Sequence, residues 1–185
     1  WCDDPERDPW MWRAIIARKH DIVYGKFFDK KAGFISRQWL PVFANYRRDG
    51  YDFDALYEDG KAPNKHKKIM DNFMEDKEDA EIFSSILKKQ AGFGKDGEKG
   101  FDGVITSLMM QMYLCNCDFR KRVNKKGMAY GWDVAVYSSI EHIYGYDHVT
   151  SCYREDPQES WNRIVNHIHE IYPIATDQQI RKVLK

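Results

Sequence analysis

The 185-residue sequence predicts an α+β fold. Residues 21–35 and 114–137 alternate β-branched and aromatic side chains about turn-forming Asp, Asn, Lys and Gly, the mark of hairpins. Residues 63–112 instead repeat apolar side chains at helical spacings, with glycines where helices stop. Hydrophobic residues make up 43% and aromatics 15%, enough to fill the interior of one continuous body. Lys plus Arg and Asp plus Glu both total 29, so bulk charge makes no case for a nucleic-acid partner, and any such case rests on local patches.

Residues 1–20 mix acids and prolines with Trp10, Trp12, Ile15 and Ile16, and read as an irregular lead-in to a short helical or extended piece. A strand over 21–28, a turn over 29–33 and a resumed strand at Phe34 and Ile35 make a β-hairpin. Ser36 is placed to cap a helix carrying Trp39, Leu40, Phe43 and Tyr46, stopped by Asp49-Gly50, with Pro41 limiting its regularity. A helical turn over 52–59 closes at Gly60. After Pro63, Ile69, Met70 and Phe73 form the apolar stripe of a further helix, followed by an acidic connector over 75–81. Ser84 or Ser85 caps the next helix, through Ile86, Leu87 and Ala91 to Gly92. Beyond a Gly and Lys loop over 94–100, Phe101, Val104, Ile105, Leu108 and Met112 define the buried face of another helix, leaving Gly103, Thr106, Ser107, Met110 and Gln111 outside. A strand over 114–122, a tight turn at Asn124-Lys125-Lys126-Gly127 and a returning strand over 129–137 follow, with Trp132, Val134 and Val136 on one face. Asp156, Pro157 and Glu159 open the best-capped helix, which carries Trp161, Ile164, Val165 and Ile168; Thr176 with Gln179 opens a last short one.

Three helices followed by a β-hairpin, as in residues 63–137, is the order of a winged helix. The expected organisation is an N-terminal aromatic-rich α+β segment over 1–62, a winged-helix module over 63–145, and a C-terminal helical segment over 146–185 packed on the same body.

The hairpin tip is the strongest functional signal: Arg120, Lys121, Arg122, Lys125 and Lys126 place five cations in seven residues with no acid among them. Each phosphate that such a cluster neutralises releases condensed counterions, so the cluster suits DNA contacted mainly through its backbone. Lys95 and Lys99 extend the footprint, and Thr106 lies on the face of the third helix expected near a groove. That face offers no arginine, so base-specific reading is poorly supported.

No catalytic constellation emerges. Ser85 and Lys88 have a Ser-x-x-Lys spacing, but a helix cap and a surface lysine explain both. His167 and His169 diverge by about 200° on a helix, which is wrong for shared metal ligation. The cysteines, Cys2, Cys115, Cys117 and Cys152, lack the CxxC pairing of zinc sites and read as reduced thiols. No metal or cofactor is implied. No apolar run of roughly 18 residues occurs and the first part of the chain is charged, so no membrane span or secretory signal is expected and the cytoplasm is the expected location. The spacing does not specify an oligomeric state.

The stretches Tyr24-Gly25-Lys26-Phe27-Phe28, Lys31-Ala32-Gly33-Phe34-Ile35-Ser36 and Asn45-Tyr46-Arg47-Arg48-Asp49-Gly50-Tyr51-Asp52, then Tyr130-Gly131-Trp132 and Gly145-Tyr146-Asp147, together resemble an uncharacterised bacterial family related to AlkZ, the winged-helix DNA glycosylase type that unhooks interstrand crosslinks. The resemblance runs from about Trp10 to the C-terminal helix, and it implies a winged helix and a part in DNA repair. The glycosylases work through glutamine, an apolar residue, then glutamine or aspartate. Gln111-Met112-Tyr113 and Gln38-Trp39-Leu40 both lack the third residue, so no catalytic residue is carried over. The leading expectation is therefore a nucleic-acid-binding winged-helix protein without a catalytic motif. The alternatives are a glycosylase-like enzyme acting on alkylated or crosslinked DNA, and a protein-interaction module.

Overall fold

The computed structural model describes residues 4, 6–73 and 80–184, the side chains of residues 9 and 10 excepted. Most of the acidic connector expected over 75–81 lies outside the described residues. The fold is α+β around one antiparallel sheet of five strands in the order β2-β1-β4-β5-β3.

The lead-in is more regular than its sequence suggests. Helix α1 (Pro9–Lys19) leads into the sheet. Its apolar residues form no buried stripe: Met11, Trp12 and Ile15 stay 42–52% exposed while Ala17 is buried. A bond from Arg18 Nε to Asp118 Oδ1, at 3.0 Å, ties the helix to the sheet. Strands β1 (Ile22–Phe28) and β2 (Lys31–Ser36) are joined by Asp29 and Lys30 alone. Both turn residues are left-handed, with φ of 50° and 63°, which matches the twist of a two-residue hairpin and makes the turn shorter than expected.

Helix α2 (Leu40–Arg48) follows. Ser36 does not cap it; Trp39 takes the cap position without a side-chain bond, and Pro41 falls in the first turn, where its missing N–H costs no hydrogen bond. Helices α3 (Phe53–Glu58) and α4 (Asn64–Met70) come next. The two-residue strand β3 (Ile82–Phe83) pairs with β5 immediately before α5 (Ser84–Gln90), so Phe83 occupies the cap position expected of Ser84 or Ser85. Helix α6 (Phe101–Met110) buries Phe101, Val104, Ile105 and Leu108, as its spacing predicts. Strands β4 (Leu114–Val123) and β5 (Ala129–Ser139) form the long hairpin. Short helices α7 (Ile140–Tyr144) and α8 (Tyr146–Val149) lead to α9 (Pro157–Ile171) and α10 (Asp177–Leu184).

Strand β1 also pairs with β4, so the sheet crosses residue 62, the expected end of the N-terminal segment. Helix α9 starts as its cap signature predicts, with the Asp156 side chain accepting from Gln158 N. It packs on α2 through Tyr46 and Trp161, whose ring centroids lie 4.9 Å apart, and through Asn45 Nδ2 donating to Ser160 Oγ at 3.0 Å. His167 stacks on Trp39, and His169 bonds Asp177 at 3.0 Å. Among the described residues no helix is long and apolar enough to cross a membrane.

Two consecutive arginines fasten α2 to the end of α6. Arg47 donates to the carbonyls of Phe27, at 2.7 Å, and of Met110. Arg48, with no exposed side-chain surface, donates to the Met112 carbonyl, to Glu141 and to Tyr153 Oη at 2.9 Å, and lies over the Tyr113 ring. A helix leaves its last carbonyls without internal partners, and here Met112 turns left-handed at φ 66° just past that end. Burial works against a charged Arg48, but Glu141 and Tyr153 outweigh it and raise its pKa.

Arg48→Met removes this donor set and leaves the Met112 carbonyl and Glu141 unpaired. It is expected to cost about 3 kcal/mol, read as a lower urea midpoint at an unchanged slope; a loss below about 1 kcal/mol, the worth of one ordinary hydrogen bond, contradicts the clamp. Burial also pushes the Cys117 thiol up from 9.0 to about 12. Its stability contribution is complete below the ordinary thiol value. Above pH 9 the unfolded chain ionises first, so stability falls with pH up to about 12, by about 1.4 kcal/mol per pH unit from this thiol. Chemical denaturation at pH 8 and pH 10 measures that fall.

Candidate nucleic-acid interface

The β4–β5 hairpin is packed at its base and bare at its tip. Leu114, Cys115, Cys117 and Val136 are buried, whereas Val123, Met128, Tyr130 and Trp132 are all at least 49% exposed. Trp132, Val134 and Val136 do not share one buried face. Arg120 opposes Val134 and Arg122 opposes Tyr130, so β5 spends the longer stretch between these pairs. Gly131 sits there at φ 74°, and the irregularity breaks the period-two alternation. Trp132 is left 92% exposed.

The five cations of the tip divide into two groups. Arg120 is held by Asp118 and Glu81 and belongs to the sheet's own ion network, which also takes in Arg18. Lys121, Arg122, Lys125 and Lys126 are exposed, and their side chains make no ion pair among the described residues. Asn124 shapes the turn beneath them, its Oδ1 accepting from Lys126 N at 2.9 Å and Met128 N at 3.1 Å.

The other expected contacts are placed differently. Lys99 folds back, its Nζ donating to the carbonyls of Gly94 at 2.8 Å and Lys95 at 2.5 Å, which closes its own loop. The Lys95 side chain is exposed. Thr106, expected on the outer face of α6, is 9% exposed, because β1 lies across that face. Its hydroxyl donates to the Asp102 carbonyl at 2.7 Å, and Lys26 Nζ approaches it at 3.5 Å.

The covering of α6 creates a feature with no signal in the sequence order. An open groove of about 810 Å³ runs between α6 and the β1–β2 hairpin, with Lys26, Lys30 and Arg47 on one side and Asp102, Ser107 and Gln111 on the other. A more enclosed pocket of about 260 Å³ adjoins it, and the two share Lys26, Asp102 and Thr106. On another part of the surface, a cleft of about 790 Å³ gathers Asp52, Asp54, Glu141 and His142 with Tyr113 and Tyr146. There Glu141 is held by Arg48 and Asp54 lies 3.9 Å from Lys67. Asp52 accepts from Tyr146 Oη at 2.8 Å through Oδ2, while its Oδ1 is buried and unpartnered. The hydrogen bond to Asp52, followed by burial, pushes the Tyr146 hydroxyl up to about 12.

Among the described residues no group of three or more His, Cys, Asp or Glu side chains is arranged to hold a metal. Cys115, Cys117 and Cys152 are buried free thiols.

Comparison with protein-family models matches residues 1–185 to the family described as AlkZ related. Neither the curated proteins nor the solved structures contain a match.

The division of the hairpin cations is measurable as stability. Lys121, Arg122, Lys125 and Lys126, changed one at a time to Gln, should each shift stability by no more than about 0.5 kcal/mol, as surface substitutions without partners do. Arg120→Gln leaves the buried Asp118 with Arg18 and the Phe119 N–H as partners among the described residues, and is expected to cost about 1 kcal/mol. Thermal melts that rank the variants the other way contradict the division.

Proposed function

The chain belongs to the AlkZ-related family, and on that premise we propose that it is a DNA-binding winged-helix protein with a part in DNA repair, engaging the phosphate backbone through the β4–β5 hairpin as its wing. The order α4, β3, α5, α6, β4, β5, with β3 paired to β5, supports the winged-helix reading. The observation that carries the DNA reading is the hairpin's outer half, where Lys121, Arg122, Lys125 and Lys126 have no acidic partner among the described residues and stand beside a 92% exposed Trp132. Each of the four cations is free to neutralise a phosphate, and the indole offers a flat apolar face to an unstacked base or a groove wall. Helix α6 contributes little base reading, since β1 covers Thr106 and Arg47 holds the Met110 carbonyl. The affinity is therefore expected to be sequence-tolerant and steeply salt-dependent.

A second reading, hydrolysis of a glycosidic bond in damaged DNA, draws on the family and on Asp52, whose Oδ1 is buried and unpartnered at a wide cleft. Base release from alkylated duplex that is abolished in Asp52→Asn supports it; release that survives the substitution removes Asp52 from the chemistry.

Binding to fluorescent duplex DNA across a salt series tests the leading reading. Wild type should bind at low salt with a steep log–log slope, and the variant with Gln at 121, 122, 125 and 126 should lose about 3 to 4 units of that slope. Absence of binding at low salt, or an unchanged slope in the variant, contradicts it.

A further inference from the structure

Strands β1, β4 and β5 present a row of polar side chains to α6. Tyr24 opposes Asn116, and Asn116 opposes Tyr137, so the three stand side by side on one face of the sheet. All three line the 260 Å³ pocket. Asn116 is 9% exposed, yet its amide makes no hydrogen bond to any described residue, and neither does the Tyr24 or Tyr137 hydroxyl. Their polar atoms are not sealed from solvent but open onto the pocket. An amide at the pocket wall that retains both donor and acceptor, with a hydroxyl on each side, is equipped to meet the edge of a polar ring.

The rest of the cleft has the matching chemistry. Tyr24 and Phe119, with centroids 5.8 Å apart, provide aromatic surface, and the Arg13 guanidinium lies over Phe119 at 4.4 Å. The pocket leads past Lys26 into the outer groove, where Lys30 and Arg47 add two more cations. Lys26, Lys30 and Arg47 form no ion pair among the described residues, and Arg47 bonds only neutral carbonyls. Burial without a carboxylate pulls the Arg47 pKa down to about 10, so an anion in the groove would meet a guanidinium that lacks a counter-charge.

We propose that this cleft binds a nucleotide, with its planar heteroaromatic ring in the inner pocket against Asn116 and its phosphate on Lys26 and Lys30 in the outer groove. A ring fits between aromatic faces, an amide pairs with the edge of a base, and lysines at the mouth neutralise phosphate. The chemistry is the same for a free nucleotide and for one unstacked from a nucleic-acid strand. The site goes beyond the DNA-binding reading, since hairpin tip and cleft share no residue.

The test adds the full chain to 2-aminopurine riboside 5′-monophosphate, whose fluorescence falls when its ring stacks. It runs beside the unphosphorylated nucleoside, inorganic phosphate as competitor, and a duplex carrying 2-aminopurine opposite an abasic site. Saturable quenching of the monophosphate is expected, with the nucleoside about tenfold weaker or more. Asn116→Leu fills the inner pocket, and Ala32→Trp, at an exposed position on its rim, blocks the mouth; each should weaken the monophosphate by about tenfold or more. Lys26→Gln with Lys30→Gln should reduce the monophosphate to the level of the nucleoside. A saturable change in the duplex signal, where the base must first leave its own stack, assigns the source to nucleic acid, and quenching confined to the free form assigns it to a mononucleotide. No saturable change with either form overturns the proposal. So does unchanged quenching in both blocking variants, or a nucleoside that binds as well as the monophosphate. The variant with Gln at 121, 122, 125 and 126 separates the two functions: it should keep mononucleotide binding while losing duplex affinity. A wild type that binds the monophosphate but no duplex sinks the DNA reading and leaves this one standing.

Discussion

The fully buried Arg48 guanidinium holds the molecule together at a point where four separate parts of the chain meet. It reaches the carbonyl just past α6, the Glu141 carboxylate at the start of α7 and the Tyr153 hydroxyl ahead of α9. Arg47, one residue earlier, takes the Met110 and Phe27 carbonyls. A desolvated charge is tolerated only when paired and hydrogen-bonded, and Glu141 with the two acceptor oxygens supplies that requirement. Most of what is distinctive in the fold follows. With α2 pinned to the end of α6, the β1–β2 hairpin must lie along that helix, β1 is brought beside β4, and a three-stranded unit becomes a sheet of five strands.

That constraint has opposite consequences for the two faces a nucleic acid could meet. It closes the outer face of α6, burying Thr106 under β1 and leaving a groove with cations on one side where an open reading surface was expected. The β4–β5 hairpin, anchored at its base by Cys115, Cys117 and Val136, projects free of it. Charge follows the same division. Near the body, Arg120 is drawn into a network with Asp118 and Glu81, while toward the tip the cations have no ion pair among the described residues and the Trp132 indole faces solvent. The proposed contact by the tip, with α6 kept for packing, would favour backbone contact over sequence reading.

Local features of the fold were legible from local sequence. The stripe of Phe101, Val104, Ile105 and Leu108 fixes the buried side of α6, and Asp156-Pro157 marks the start of α9, because spacing and capping act over a few residues. Features decided by distant partners were not. Strand β3 is two residues long and exists only because β5 runs beside it. Helix α1 lacks a buried stripe, and it is tied down by an arginine whose acceptor is Asp118. The same limit applied to the site. The density of cations over 120–126 was plain, but that Arg120 is spoken for depends on Glu81, far away in the chain. The row of Tyr24, Asn116 and Tyr137 is set by the pairing of β1 with β4, strands far apart in the chain, which no spacing within one segment discloses.

DNA contact at the free end of the β4–β5 hairpin, as proposed, is open to a direct test. Amide hydrogen exchange of the full chain, with and without duplex DNA at low salt, tests it most directly because it needs no substitution. Added protection is expected over residues 121–132, with α9 and α10 unchanged. Protection confined to other elements, with the hairpin tip exchanging as fast as in the free protein, would contradict it.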